Sequence, residues 1–190
     1  MSLLICLDAG HGIGNRRSGK YDPGAVYTED STGSVYCEAD IVLFYSEVLE
    51  HLLKLSNYRV FQTRSFSSGD VSLSSRTAMA KDAGCDALIS LHMNAFSNPR
   101  VSGCEVLYKE EKGAKLATTL LAGVINSGLK IRSRGIKKRN NLAILNYSKP
   151  VALLELGFIT NESDRSKSCD LVKAKQVCSS IVTHINMLGF

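Results

Sequence analysis

No stretch of this chain is long and apolar enough to cross a bilayer as a helix, which takes about 20 predominantly apolar residues. Membrane insertion by that route is therefore not expected. Proline is scarce, with three residues in 190, and no Pro-rich linker, low-complexity tail or internal repeat divides the sequence. The length suits one domain and is short for two, so residues 1–190 are read as a single unit. The C-x-x-C pair of a redox or zinc-ribbon motif is missing as well. Six cysteines are scattered, and Cys6, Cys85 and Cys104 lie in or beside apolar segments, where a free thiol behaves as a small hydrophobe. They are read as reduced thiols of a protein made in a reducing cytoplasm. The opening "MSLLICLDAGHG" lacks a basic leader region, and its apolar run ends at Asp8. A buried first strand fits it better than an export signal.

Hydrophobic residues make up 44% and charged residues 22%, the composition of an ordinary globular domain. A net charge of +5 favours anionic partners, whether nucleic acid, acidic envelope polymers or phospholipid. Part of that charge sits in "LKIRSRGIKKRNN", residues 129–141, which reads equally as a solvated basic loop or a functional patch. Short β-rich runs alternate with longer helical patterns. Strands are expected at 3–8, 58–64, 86–94, 103–109, 142–145 and 151–157, and helices at 38–55, 72–84, 116–128 and 171–188. This alternation predicts an α/β fold: a twisted, mainly parallel sheet of about six strands with helices on both faces. Residues 12–37, rich in Gly, Ser and charge, form the one long irregular segment, of the kind that is usually functional or mobile.

In open α/β sheets ligands bind beyond the carboxyl ends of the strands. There the sequence places His11 after the first strand, His92 near the end of the third and Glu155 in the last, inside the apolar run "PVALLELGF". Glu38 opens the first helix and can reach the same edge. Two histidines and a carboxylate give zinc three ligands and leave a fourth position open. Hydrolysis then needs a second carboxylate that handles protons. Glu38, in polar "YCEAD", suits a metal ligand. Glu155, in an apolar wall, suits an acid/base group of raised pKa. Taken singly, each has an ordinary reading: a structural histidine at a strand end, an acid favoured by the helix dipole, a buried partner for an arginine. His51 and His184 fall within helices and are read as ordinary residues there. "DAGHGIG" lacks the Gly-Lys-Ser/Thr ending of a phosphate loop, and no cysteine stands at a strand end beside a histidine.

The pieces "LDAGHG", "DPGA" (22–25), "TR" (63–64), "LSSR" (73–76), "ISLHMNA" (89–95), "GCEVLY" (103–108) and "LLELGFITN" (153–161) occur in one order. In that order the chain resembles zinc N-acetylmuramoyl-L-alanine amidases, the branch of cell-separation amidases, sporulation amidases and phage endolysins. The resemblance implies that His11, Glu38 and His92 bind one Zn2+ and that Glu155 is the catalytic acid/base. It also implies hydrolysis of the amide between N-acetylmuramic acid and L-alanine in peptidoglycan. Asn94 is a candidate for supporting the site or touching substrate, or else a turn residue. Glu29 and Asp30, in the same long segment as Glu38, compete with it for the third ligand position. Ala9 stands where the family commonly has proline.

The expectation is a peptidoglycan amidase, read as a monomer with a single catalytic domain over 1–190. With no export signal visible, it is expected to be made in the cytoplasm and to act on the wall after release. A phage or prophage endolysin is the first setting considered, and sporulation or mother-cell lysis the alternative. A wall-binding pseudoenzyme is disfavoured because all four chemical positions are filled. A basic nucleic-acid module rests on charge alone, so no nucleic-acid partner is expected, whereas anionic wall polymers remain possible partners.

Overall fold

The computed structural model describes residues 2–13, 21–65 and 71–188. Six strands form the main sheet in the order β4-β1-β5-β8-β6-β7. They are β1 (Leu4–Ala9), β4 (Arg59–Gln62), β5 (Ala87–Asn94), β6 (Cys104–Tyr108), β7 (Ser133–Lys138) and β8 (Val151–Phe158). All neighbours run parallel except β6 and β8, which are antiparallel. The expected α/β architecture with a mainly parallel sheet is the one observed. Two further short strands, β2 (Val26–Thr28) and β3 (Val35–Cys37), make a hairpin inside the segment read as irregular.

Helices cover both faces. On one, α1 (Glu38–Leu55), α3 (Glu111–Ile125) and α5 (Leu171–Leu188) enclose a core that includes Ile5, Leu7, Leu49, Leu91, Leu116, Leu154 and Ile181. On the other, α2 (Ser75–Asp82) and a short 3-10 turn (Ala143–Asn146) cover Cys6, Leu88, Leu107 and Leu153. Strands buried on both faces need apolar side chains at successive positions, and the near-continuous runs in β1, β5 and β8 supply them. A short α4 (Glu162–Ser168), absent from the sequence reading, follows β8; the Asn161 side chain accepts the Asp164 N–H at its start.

Three expectations are corrected. Residues 142–145 are not a strand, because β8 already has β5 on one edge and β6 on the other. Instead Ile144 and Leu145 turn inward as part of the 3-10 turn and pack on the α2 face. The basic segment 129–141 is not simply a loop: Ser133–Lys138 is the outermost strand, β7. The third helix starts at Glu111 rather than near residue 116 and carries Gly113 against the sheet, where a Cβ would stand 2.5 Å from the Val151 carbonyl oxygen.

The chain leaves β1 toward β4 on one side and returns to β5 on the other. The carboxyl ends of β1 and β5 therefore flank a point where strand order reverses, the place where such sheets open a crevice. His11 follows β1, and His92 lies on β5. Glu155 on β8 is the register partner of His92.

Candidate metal centre

The turn after β1 is unusual. His11 has φ 62°, a left-handed conformation that a non-glycine side chain rarely adopts and that costs about 1–3 kcal/mol. Two arginines hold it. Arg76 donates to the carbonyls of Ala9 (2.8 Å) and His11 (2.6 Å), and Arg64 to those of Ala9 (2.9 Å), Gly10 (2.8 Å) and Ala39 (2.7 Å). Arg64 thus ties the His11 turn to the first turn of α1, which carries Glu38. Asp8 anchors the arrangement from below, accepting from Arg76 (2.7 Å), Thr63 (2.6 Å) and Ser90 (2.7 Å). Burial pushes the Asp8 carboxyl up, but the Arg76 charge and these hydrogen bonds outweigh it and hold it below its usual range.

A stability prediction follows from that pair. Removing the guanidinium in Arg76→Ala leaves the Asp8 charge uncompensated, and is expected to cost about 3–5 kcal/mol in urea unfolding at neutral pH. Because the folded pKa of Asp8 is depressed, its contribution is complete above the unfolded value near ~4 and is lost as pH falls through the folded one. The gap between wild type and Arg76→Ala should therefore shrink as pH falls and Asp8 protonates, first in the variant, which lacks the charge that holds it ionised.

The second half of the site comes from "DPGA". The carbonyls of Pro23 and Ala25 accept the N–H groups of Ala39 (3.0 Å) and Glu38 (2.9 Å), capping α1 where Cys37 supplies no side-chain cap. The Ala25 N–H in turn donates to Glu38 Oε2 at 2.8 Å. Glu38 Oε1 lies 3.1 Å from His11 Nε2 and 2.9 Å from His92 Nδ1, and it accepts the Met93 N–H at 3.0 Å. The two imidazoles meet edge to face, with centroids 5.1 Å apart. His11 Nδ1 is 3.0 Å from Asp22 Oδ2 and its Nε2 3.1 Å from Glu38 Oε1, so the ring sits between two carboxylates, and donation from Nδ1 to Asp22 is the arrangement that frees Nε2 to bind a metal ion.

One ligand atom from each of His11, Glu38 and His92 lies within 4.8 Å of the others. The surroundings are shaped for this cluster. A Cβ on Gly24 would stand 2.5 Å from Glu38 Oε2 and 2.7 Å from His11 Cδ2, and one on Gly10 would stand 2.3 Å from His92 Cε1. Two nitrogens and a carboxylate oxygen make a donor set that suits a divalent metal ion with a free position. The side chains of His11 and His92 remain 23% and 20% exposed, against 4% for Glu38, so the cluster is open on one side. Burial alone would raise the Glu38 carboxyl, yet its hydrogen bonds to both histidines lower it and keep it anionic. Burial would lower the His11 imidazole, but Glu38 and then Asp22 raise it.

Glu155 is different. Its Oε2 is closed to solvent and has no hydrogen-bond partner. Burial pushes its carboxyl up to about 7; the His92 imidazole opposes that rise, while the negative charges of Glu38 and Glu105 reinforce it. The acid expected from sequence to have a raised pKa does have one. Among the described residues no arginine neutralises it in the manner of a structural ion pair. Glu105, its register partner on β6, takes that role instead, accepting from Arg134 and Lys137.

Of the alternatives, Glu29 and Asp30 lie away from the cluster, lining a groove of about 880 Å³ with Tyr27, Phe96, Thr160 and Glu162. Asn94 ends β5; its Oδ1 accepts the Ala95 N–H, and its Nδ2 reaches Glu105, the register partner of Glu155, at 3.4 Å. His51 and His184 lie on α1 and α5, outside the cluster. Sequence reasoning assigned no role to Asp8, Asp22, Arg64 or Arg76. All but Asp8 stand in the short motifs "DPGA", "TR" and "LSSR", and Asp8 in "LDAGHG", so the signal was present without its meaning. If Asp22 orients the His11 ring, Asp22→Asn should weaken metal affinity about 10- to 100-fold in competition with a chelator, leaving the unfolding midpoint nearly unchanged.

A family profile described as N-acetylmuramoyl-L-alanine amidase matches residues 5–187. A probable cell wall amidase, LytH of Staphylococcus epidermidis, is 32% identical over 178 residues, covering 94% of this chain and 55% of its own length. The chain thus spans about half the length of that curated relative. The amidase AmiC2 of Nostoc punctiforme superposes with a TM-score of 0.84 at 26% identity, over 98% of this chain and 96% of that one. An N-acetylmuramoyl-L-alanine amidase from Clostridium difficile gives 0.82 at 28% identity, over 98% and 96%.

Proposed function

Because the chain belongs to the N-acetylmuramoyl-L-alanine amidase family, we propose that it hydrolyses the amide joining N-acetylmuramic acid to L-alanine in peptidoglycan, using zinc held by His11, Glu38 and His92. The observation that carries this reading is the meeting of those three side chains beside an unpartnered Glu155 oxygen, at the carboxyl ends of adjacent strands. Zinc in such a site supplies a Lewis acid for the scissile carbonyl and a water of lowered pKa.

The chain's own residues do the rest. Glu155, poised near neutrality, accepts a proton from the attacking water and delivers it to the alanine nitrogen as the C–N bond breaks. The products are a lactyl carboxylate and a free alanine amine. Asp22 fixes the His11 tautomer, and Arg64 and Arg76 hold the His11 backbone against its strain. The groove walled by Tyr27, Phe96 and Thr160 offers room for the peptide side of the substrate. Its walls continue from segments that carry the site: Tyr27 from the Ala25 turn, Phe96 from β5, Thr160 from β8.

Among the settings of the family that the sequence resembles, phage release is the one proposed, with sporulation as the alternative. The test of the chemistry serves both. Purified protein on cell-wall fragments should release new N-terminal alanine without new reducing sugar ends, and chelation should stop it. New reducing ends, or activity that survives chelation, would sink the reading.

A further inference from the structure

We propose that the outer edge of the sheet, β7 with its two flanks, is a docking surface for a linear phosphodiester polymer of the cell wall. The proposal takes from the function above only that the protein works against a wall.

Residues 129–141 hold six cations, Lys130, Arg132, Arg134, Lys137, Lys138 and Arg139, and no acid. Two of the six are neutralised. The pairing of β7 with β6 slips between Cys104–Ser133 and Val106–Ile136, with Gly135 at φ 83°, and this bulge lets both Arg134 (2.7 Å) and Lys137 (2.6 Å) reach Glu105. The other four, Lys130, Arg132, Lys138 and Arg139, are exposed, and no carboxylate pairs with them among the described residues. They stand in two pairs, one at each end of the strand. Glu110 and Glu111 follow Tyr108, whose carbonyl accepts the Arg139 N–H, yet neither forms an ion pair with Lys138 or Arg139.

From Lys130 to Arg139 an extended chain covers about 25–30 Å. One small anion cannot bridge that span, whereas a polymer with repeated phosphates can. The edge is available, because among the described residues β7 pairs with β6 alone. β6 and β7 run opposite to β8, so Lys130 and Arg132 sit at the sheet edge where β5 and β8 present His92 and Glu155. A polymer on β7 would hold the site against the wall. Nucleic acid is the poorer fit, since residues 129–141 contain no aromatic side chain on which a base could stack.

Edge strands also carry lysine to discourage aggregation, a role that charge of either sign can fill. That separates the two explanations. The quadruple variant Lys130→Glu, Arg132→Glu, Lys138→Glu, Arg139→Glu keeps a charged edge but repels a polyanion. Its companion replaces the same four residues with Gln. Binding is read by co-sedimentation with wall fragments that retain their phosphodiester polymers and with fragments stripped of them. Wild type should bind the first at least about tenfold more tightly, and lose about tenfold or more between 50 and 200 mM salt. The Glu variant should lose that preference and the Gln variant most of it, while both hydrolyse a soluble muramoyl-alanine peptide at the wild-type rate. Equal binding by wild type and the Glu variant, or undiminished wild-type binding to stripped walls, overturns the proposal. So does competition by duplex DNA or anionic vesicles as effective as that by the free polymer. Polymer-dependent binding by a wild-type protein that hydrolyses nothing would count against the catalytic reading and for this surface.

Discussion

Replacing Glu155 with Gln should reduce hydrolysis of muramyl peptides by about 10³-fold while the bound ion stays at wild-type stoichiometry, a loss within the range of general acid–base groups. The amide has the shape of the carboxyl but can neither take nor give the proton. No hydrogen bond of Oε2 is sacrificed, because it makes none. The variant also removes a carboxyl whose charged form burial disfavours, with a pKa raised to about 7. It should therefore resist urea at least as well as wild type near neutral pH, since a raised folded pKa makes the ionised acid a growing liability as pH climbs from about 4. Kinetics, metal analysis and denaturation on one preparation check all three. Loss of the ion from Glu155→Gln would make Glu155 a ligand and refute its assignment as proton carrier.

His92→Ala should behave in the opposite way: the ion is lost, and with it activity by about 10³-fold or more. Glu38 is then left with His11 on one side and the N–H groups of Ala25 and Met93 on the other. Its charge stays partly compensated, so the fold should lose only about 1–2 kcal/mol. His11→Ala should also release the ion, and in addition breaks the Asp22 contact. Metal content after dialysis and urea midpoints separate these effects. If either variant retains the ion at full stoichiometry, the ligand set is wrong.

The readable part of the molecule followed from its apolar patterning. α1 was expected at 38–55 and spans Glu38–Leu55, because its apolar face repeats at helical spacing and an acidic residue opens it. β1, β5 and β8 were legible as apolar runs, and so were the site candidates His11 just after β1, His92 on β5 and Glu155 on β8, since each is a polar break near a strand end. What stayed hidden depends on partners remote in sequence. β7 has no apolar alternation, and is a strand because β6 offers it an edge. Residues 142–145 look like a strand until both edges of β8 are seen to be occupied. Arg64 and Arg76 serve backbone carbonyls of a left-handed turn, and no residue pattern announces such acceptors.

The order of the strands also governs assembly. β8, late in the chain, lies between β5 and β6, so the sheet cannot close until most of the protein has been synthesised. Until then β5 and β6 each lack the neighbour that covers that edge in the folded sheet, and an uncovered edge can recruit another chain. The insertion that seals this gap also delivers Glu155. On the proposed reading, the proton carrier and protection from misassembly thus arrive with the same strand, and a chain stopped short of residue 151 has neither.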